Sequence, residues 1–292
     1  MKAHLNGIDI NFEVHGDGPP LVLAHGYTAS LDMWREQVPA FSVRYRVVIY
    51  DTRGHGATTA PAEPERYDIA RDYVADQLAL MDHLGIDAAY VGGLSMGGMI
   101  AQEFVLQHPD RVKALLLFDT GPGMTGLSRA PQSGRPAELR AGLEQARATI
   151  RAAVRRKGMT AIVDDVRESS AAFLPSGGGL LPDAVLRHVE NMRTMSVDGL
   201  IGANQAMHDW PGTYERLAAI AVPTLILVGQ EDPLLAVATR MHRTIRGSRL
   251  VVLRRSGHGT NLWRPESFAR RTLQFLADVE AGRPIARYIV AL

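Results

Sequence analysis

At 292 residues, with 46% hydrophobic and 22% charged side chains, the chain has an ordinary globular composition and enough material for one large domain carrying an insertion. Lys and Arg number 32 against 31 Asp and Glu, and the resulting formal charge of +1 supplies no general field for binding nucleic acid. Cysteine is absent, which excludes disulfides, a thiolate nucleophile and cysteine-held zinc, and no apolar run approaches the roughly 18 residues of a membrane span. Met1-Lys2-Ala3-His4-Leu5 leads into Asn6-Gly7 without an apolar signal core, so a cytoplasmic location is expected.

Taken in chain order, the first half alternates strand-like and helix-like segments. Strands are predicted over Ile8 to Val14, Leu21 to Ala24 and Arg46 to Tyr50, with a helix over about Leu31 to Phe41. A helix over Tyr73 to Leu84 follows, then a buried strand at Ala89 to Val91, a helix over Met96 to Gln107 and a strand at Ala114 to Phe118. The strand segments are continuous apolar runs instead of period-two runs, the pattern of a mostly parallel, doubly wound sheet covered by helices on both faces.

After Gly121-Pro122-Gly123 the sequence becomes rich in Arg, Ala and Gly until about Trp210, and this stretch reads as an inserted helical cap. The expected division is a core domain over 1–123 and 211–292 with a cap over 124–210. Within the cap Leu139, Leu143, Ala146, Ile150 and Val154 recur at helical spacing, with Arg147, Arg151 and Arg155 in a parallel stripe. That stripe reads as a solvated face or as a guide for an anionic substrate, and Gly177-Gly178-Gly179 reads as a loop between cap helices. The sheet pattern resumes at Thr224 to Val228, with a helix over about Leu234 to Ile245, a strand at Arg249 to Leu253 and a last helix over about Pro265 to Val279. The tail from Pro284 to Leu292 is apolar enough to pack on its own surface or on another subunit.

The chemistry centres on Gly93-Leu94-Ser95-Met96-Gly97, where a serine stands between a predicted strand and a predicted helix. Glycine at both flanks lets the two backbones approach through a sharp turn, and the Met96 N–H falls at a helix N-terminus, where the dipole favours developing negative charge. Asp232 follows the strand Thr224 to Val228, and His258 stands in Ser256-Gly257-His258-Gly259 beyond the strand ending at Leu253. Loops at the carboxyl ends of parallel strands converge on one crevice. Ser95, Asp232 and His258 are therefore candidates for nucleophile, acid and base, with Asp119 and, more weakly, Glu231 as rival acids. His25-Gly26-Tyr27 follows another strand and can supply a second oxyanion donor through the Tyr27 N–H, or only a turn. The loop Asp51 to Gly56 reads as structural, with Arg53 and His55 bonding to neighbouring loops.

Together these residues resemble the α/β-hydrolase superfamily over nearly the whole chain, and Ser95-Met96-Gly97-Gly98-Met99-Ile100-Ala101-Gln102 resembles its esterase, enol-lactonase and cofactor-free haloperoxidase branch. The resemblance implies the α/β-hydrolase fold, a mostly parallel sheet of about eight strands, with the insertion after Asp119 as its cap. Haloalkane dehalogenases and epoxide hydrolases of this fold use aspartate at the elbow, so Ser95 argues against both. Carbon–carbon hydrolases of the meta-cleavage type tend to carry tryptophan after the histidine, where Gly259 stands here.

The expected activity is hydrolysis of a small carboxylic ester or lactone through an acyl-enzyme on Ser95, with Tyr27 and Met96 as oxyanion donors and no metal or cofactor. Met192, Met195, Met207, His208 and Trp210 are candidates for the acyl pocket, against plain packing of the cap. The same triad could serve carbon–carbon cleavage, perhydrolysis or acyl transfer, and a ligand-binding receptor with little turnover is the reading from another class. The expected partner is a small-molecule ester or lactone, with no nucleic acid and no membrane, on a monomer or homodimer.

Overall fold

The computed structural model describes residues 1–123, 152, 154–160, 164, 182–285 and 289–291. Among the described residues nine strands form one sheet in the order β1-β2-β4-β3-β5-β6-β7-β8-β9. They are β1 Lys2–Leu5, β2 Ile8–His15, β3 Pro20–Ala24, β4 Arg46–Tyr50, β5 Ala89–Leu94, β6 Val112–Phe118, β7 Thr224–Gly229, β8 Ser248–Leu253 and β9 Ile289–Ala291. β1 and β2 pair antiparallel and β2 meets β4 antiparallel, while every pairing from β4 to β9 is parallel.

The sheet therefore has nine strands where about eight were expected, because both ends of the chain join it. Asn6 and Gly7, at φ 47° and 73°, make the two-residue turn between β1 and β2, a conformation that the Asn-Gly pair adopts readily. At the other end Ile289, Val290 and Ala291 run beside Leu250, Val251 and Val252 of β8, so the tail packs on its own sheet.

Fully described helices are α1 Val38–Phe41, α2 Val74–His83, α3 Met96–Gln107, α4 Asp183–Asn191, α5 Val197–Asp209, α6 Leu235–Thr244, α7 Thr260–Trp263 and α8 Pro265–Glu280. The single helix expected over Leu31 to Phe41 is instead a 3₁₀ turn, Leu31–Trp34, followed by the short α1. Pro39 lacks the N–H that would continue a helix from the preceding turn, and it sits in the first turn of α1, where none is needed.

Successive residues of each central strand point to opposite faces. Val22 and Ala24 of β3 pack with Phe104, Leu115, Ile226 and Met241, under α3 and α6. Leu21 and Leu23 pack with Trp34, Leu116, Phe268 and Phe275, under α8. Both faces are covered, which is why these strands read as unbroken apolar runs.

Strand order places the site. β3 lies between β4 and β5, so the chain leaves β3 on one side and returns on the other. The loops leaving the carboxyl ends of β3 and β5 thus open the crevice where open α/β sheets bind ligands.

α4 and α5 belong to the insertion between β6 and β7. The residues Leu139, Leu143, Ala146, Ile150, Arg147, Arg151 and the loop 177–179 lie outside the described residues; Arg155 pairs with Asp198 at 2.7 Å. α5 carries Gly199 and Gly202, which cost a helix about 1 kcal/mol each relative to alanine. Packing explains both. A Cβ on Gly199 would stand 1.8 Å from the Gly54 carbonyl oxygen, and one on Gly202 would stand 2.4 Å from the Tyr67 ring. α5 therefore rests with its backbone directly on the loop after β4. Among the described residues no helix is long and apolar enough to cross a membrane.

Gly199→Ala is expected to lower stability by about 1–3 kcal/mol, because the new methyl meets backbone that cannot rotate away. Urea unfolding followed by fluorescence checks this, and an unchanged midpoint would contradict the contact.

Candidate active site

Ser95 links β5 to α3 at φ 55° and ψ −114°, a conformation that side-chain-bearing residues adopt only under constraint. The constraint is visible on both sides of the residue. Its N–H donates to Phe118 O (2.9 Å), and its carbonyl accepts from Gly98 N (3.0 Å), Met99 N (3.2 Å) and Thr120 Oγ1 (2.7 Å). Glycine is required where the turn is tightest: a Cβ on Gly93 would lie 2.2 Å from Gly97 C, and one on Gly97 2.2 Å from Ala24 O. The start of α3 is thereby pressed against the end of β3.

From that end of β3 runs His25-Gly26-Tyr27. A Cβ built on Gly26 would lie 3.5 Å from Ser95 Cβ, so this backbone passes beside the serine. His25 is buried, its Nε2 accepts from Thr52 N (3.0 Å), and its Nδ1 is 2.7 Å from Gly26 O. The Thr52 donor fixes the tautomer, leaving Nδ1–H to donate to Gly26 O. Burial pushes His25 down to about 4, partly opposed by that bond to Gly26, so the ring is neutral. A trans peptide aims its N–H opposite to its C=O, so holding Gly26 O sets the direction of the Tyr27 N–H. Neither the Tyr27 nor the Met96 N–H has a hydrogen-bond partner among the described residues. The sequence places His25 in the segment that offers the Tyr27 N–H, or in a plain turn, and gives its side chain no role of its own. Its bracing of the peptide depends on Thr52, 27 residues away, and has no local signal.

Asp232 and His258 meet at the far side of the crevice. His258 Nδ1 is 2.9 Å from Asp232 Oδ2, and Asp232 Oδ1 accepts from Leu234 N (2.7 Å). The carboxylate is buried while the imidazole side chain is 37% exposed. Burial disfavours the imidazolium, but the hydrogen bond and charge of Asp232, aided by Asp119, outweigh it and raise His258 above 6.5. The His258 carbonyl is held by Trp263 Nε1 at 3.1 Å.

Asp119, the rival acid, does not bond the imidazole. It is fully buried, its Oδ1 accepting from Gly229 N (3.1 Å) and its Oδ2 from Thr260 N and Thr260 Oγ1 (both 2.7 Å). One carboxylate thus ties the end of β6 to the end of β7 and to the turn after His258. Burial pushes it up to about 7, with the His258 charge pulling the other way. Glu231, the weaker rival, is exposed, with its backbone N–H on Ser256 O at 3.0 Å.

The loop after β4 is braced as expected. Arg53 donates from Nε and Nη2 to the two Asp76 oxygens (both 2.7 Å), which also receive Asn6 Nδ2 (2.8 Å). His55 Nδ1 lies 3.0 Å from Arg53 O.

The five pocket candidates separate. Met192 and Met195 pack with Met159, Val189 and Leu200, against which Tyr27 also lies. Met207 and Trp210 pack with Met96, Met99, Tyr67 and Tyr73, again touching Tyr27. Trp210 is committed as an anchor, its Nε1 donating to the buried Glu103 at 2.7 Å, and His208 Nδ1 is 2.9 Å from Asn204 O in its own helix. The Tyr27 hydroxyl donates to Leu200 O (2.9 Å), joining the loop after β3 to α5.

Sequence and structure comparisons identify the fold family. The family described as alpha/beta hydrolase fold matches residues 19–265. The chain is 29% identical over 265 residues to 3-oxoadipate enol-lactonase 2 of Acinetobacter baylyi, covering 89% of this chain and 90% of that protein. The solved enol-lactonase from Burkholderia xenovorans superposes with a TM-score of 0.77 at 28% identity, covering 95% of this chain and all (100%) of the other. A thermophilic esterase from Thermogutta terrifontis superposes at 0.78 with 26% identity, covering 96% and 98%.

Two outcomes follow for the acids. A base must be neutral, so kcat/KM should fall as pH drops through a His258 pKa above 6.5, and Asp232→Asn should lower that midpoint and cut kcat by about 10³–10⁴-fold. Asp119→Ala strands three buried donors and should cost about 2 kcal/mol or more in urea unfolding. A loss of activity in Asp119→Ala with unchanged stability would instead make Asp119 the acid.

Proposed function

The chain belongs to the alpha/beta hydrolase fold family, and from that membership we propose a serine hydrolase that opens a small carboxylic ester or lactone through an acyl-enzyme on Ser95. The observation that carries the reading is the elbow itself. Ser95 is held at φ 55° and ψ −114° at the N-terminus of α3, beside two backbone N–H groups, of Tyr27 and Met96, that have no partner among the described residues. The solved relatives named an enol-lactonase and an esterase support an acyl–oxygen bond as the target.

In this mechanism Ser95 Oγ attacks the carbonyl carbon while His258 Nε2 takes the hydroxyl proton. Asp232 keeps the other proton on Nδ1 and stabilises the imidazolium that forms. The carbonyl oxygen becomes an oxyanion and receives the Tyr27 and Met96 N–H groups, with the α3 dipole adding to the field. The tetrahedral centre then expels the alkoxide, which takes the proton from His258. An ester releases its alcohol at this step, whereas the opened hydroxyl of a lactone stays attached to the acyl chain. Water, deprotonated by His258, attacks the acyl-enzyme and regenerates Ser95 with release of the carboxylic acid. Losing one oxyanion donor in such a site typically costs about 2.7–4 kcal/mol in the transition state. By that measure the His25 brace on Gly26 acts on rate without touching substrate.

A fluorophosphonate should modify Ser95, as read by peptide mass analysis, and p-nitrophenyl butyrate should be hydrolysed with kcat reduced by about 10⁴-fold or more in Ser95→Ala. A folded wild-type protein that resists labelling, or a Ser95→Ala variant with undiminished turnover, would remove the mechanism.

A further inference from the structure

Tyr27 enters the mechanism above only through its backbone N–H, yet its side chain has a fixed place of its own. The loop that carries it is held in a costly shape. Ala29 N donates to Gly26 O (3.2 Å), closing a turn in which Thr28 stands at φ 63°, the third position of a type II turn, where glycine or asparagine is usual. A β-branched residue at positive φ is a true outlier and persists only where the surroundings over-determine it. Thr28 Oγ1 donates to Tyr27 O at 2.6 Å, which fixes the peptide after Tyr27 as His25 fixes the one before it.

Neither of those bonds reaches the insertion, but the Tyr27 ring does. It lies half-buried between two apolar groups, one with Met96 and Met99 of α3 and Ala203 and Met207 of α5, the other with Met195 and with Leu200 of α5. His55 meets the ring edge-on, with centroids 6.2 Å apart at 79°. At its far end the hydroxyl donates to Leu200 O at 2.9 Å, a helix carbonyl with a lone pair beyond its own helix bond. Burial raises the phenol above its ordinary range, opposed by a hydrogen bond from Asn204, four residues further along the same helix face. The hydroxyl therefore keeps its proton near neutral pH, and that proton is committed to α5. It has none to offer an oxyanion.

The acceptor is itself anchored. Leu200 follows Gly199, where a Cβ would stand 1.8 Å from Gly54 O, so the first turn of α5 lies directly on the backbone of the loop after β4. Ser196 Oγ caps the same turn by accepting from Gly199 N at 2.9 Å. A continuous line of contacts thus runs from the loop after β4, through the first turn of α5 and the phenol, to the N–H beside Ser95. Phenylalanine at position 27 would keep the ring and the N–H and break this line at one point.

Resting on the serine mechanism above, we propose that the Tyr27 side chain is a positioning group through which α5 sets the oxyanion donor, so that the Tyr27 N–H is aligned for the transition state only while α5 is seated. The insertion then bears on the chemical step itself.

The test follows p-nitrophenyl butyrate hydrolysis in Tyr27→Phe, in Gly199→Ala and in the double variant, with inhibition by butyl trifluoromethyl ketone, whose adduct with the serine places an oxyanion where the transition state has one. Tyr27→Phe should lower kcat by about five- to thirtyfold, part of the roughly 10²–10³-fold that outright loss of a donor costs. Acylation and deacylation both pass through the oxyanion, so both slow, and KM should stay within about twofold. Ki for the ketone should rise by the same factor as kcat falls, a shift that lost packing alone would not give. Gly199→Ala should lower kcat on its own and add less than about twofold in the Tyr27→Phe background, since both break one line of contacts. Should Gly199→Ala fold poorly, Ser196→Ala loosens the same turn by removing its cap and takes its place. A Tyr27→Phe variant with kcat within about twofold of wild type, a fall in kcat with Ki unchanged, or full additivity in the double variant overturns the coupling. A wild type that resists fluorophosphonate labelling at Ser95 overturns the mechanism on which it rests.

Discussion

The backbone at Ser95 is the constraint on which the rest of the structure turns. A residue at φ 55° and ψ −114° costs about 1–3 kcal/mol and persists only where the surroundings over-determine it. Here the two strands flanking β5 contribute. β6 supplies Phe118 O to the serine N–H, Thr120 beyond β6 binds the serine carbonyl, and the end of β3 lies so close to α3 that Gly97 has no room for a methyl group. The strain is maintained by the centre of the sheet, the most deeply buried part of the molecule. A turn that merely exposed a hydroxyl would need no such support.

A second element holds the other half of the crevice. Asp119, at the end of β6, gathers Gly229 N from β7 and both donors of Thr260 from the turn after His258. Asp232 leaves β7 and reaches His258 beyond β8. The two carboxylates divide the work by geometry: one fixes where the histidine loop lies, the other fixes which ring nitrogen carries the proton. Both are buried beside one imidazole, and their negative charge opposes the burial that would otherwise depress it.

Much of this was legible because it is written locally. β3 to β8 appear as apolar runs since helices cover both faces, and the glycine-flanked serine, Asp232 and His258 each follow a strand. β1 and β9 were not legible: Lys2–Leu5 alternates exposed and half-buried positions at the sheet edge, and Ile289–Ala291 is three residues long. The break at Pro39 could have been read from the missing N–H. His25 and Asp119 differ in kind. Each is one polar residue whose contacts are set by distant partners: the N–H of Thr52, or the end of β7 and the turn after His258. No local spacing encodes such partners.

The seat of α5 on the loop after β4 is made by two glycines, Gly199 against the backbone of Gly54. Contact between main chains does not depend on side-chain identity, so the helix is attached by the absence of atoms. The exposed residues around α5 are then free to change without undoing that backbone contact. A lineage built on this seat could replace side chains of the insertion piecemeal while the contact of α5 with the loop after β4 stayed fixed. The position least able to vary would be one that touches no substrate at all.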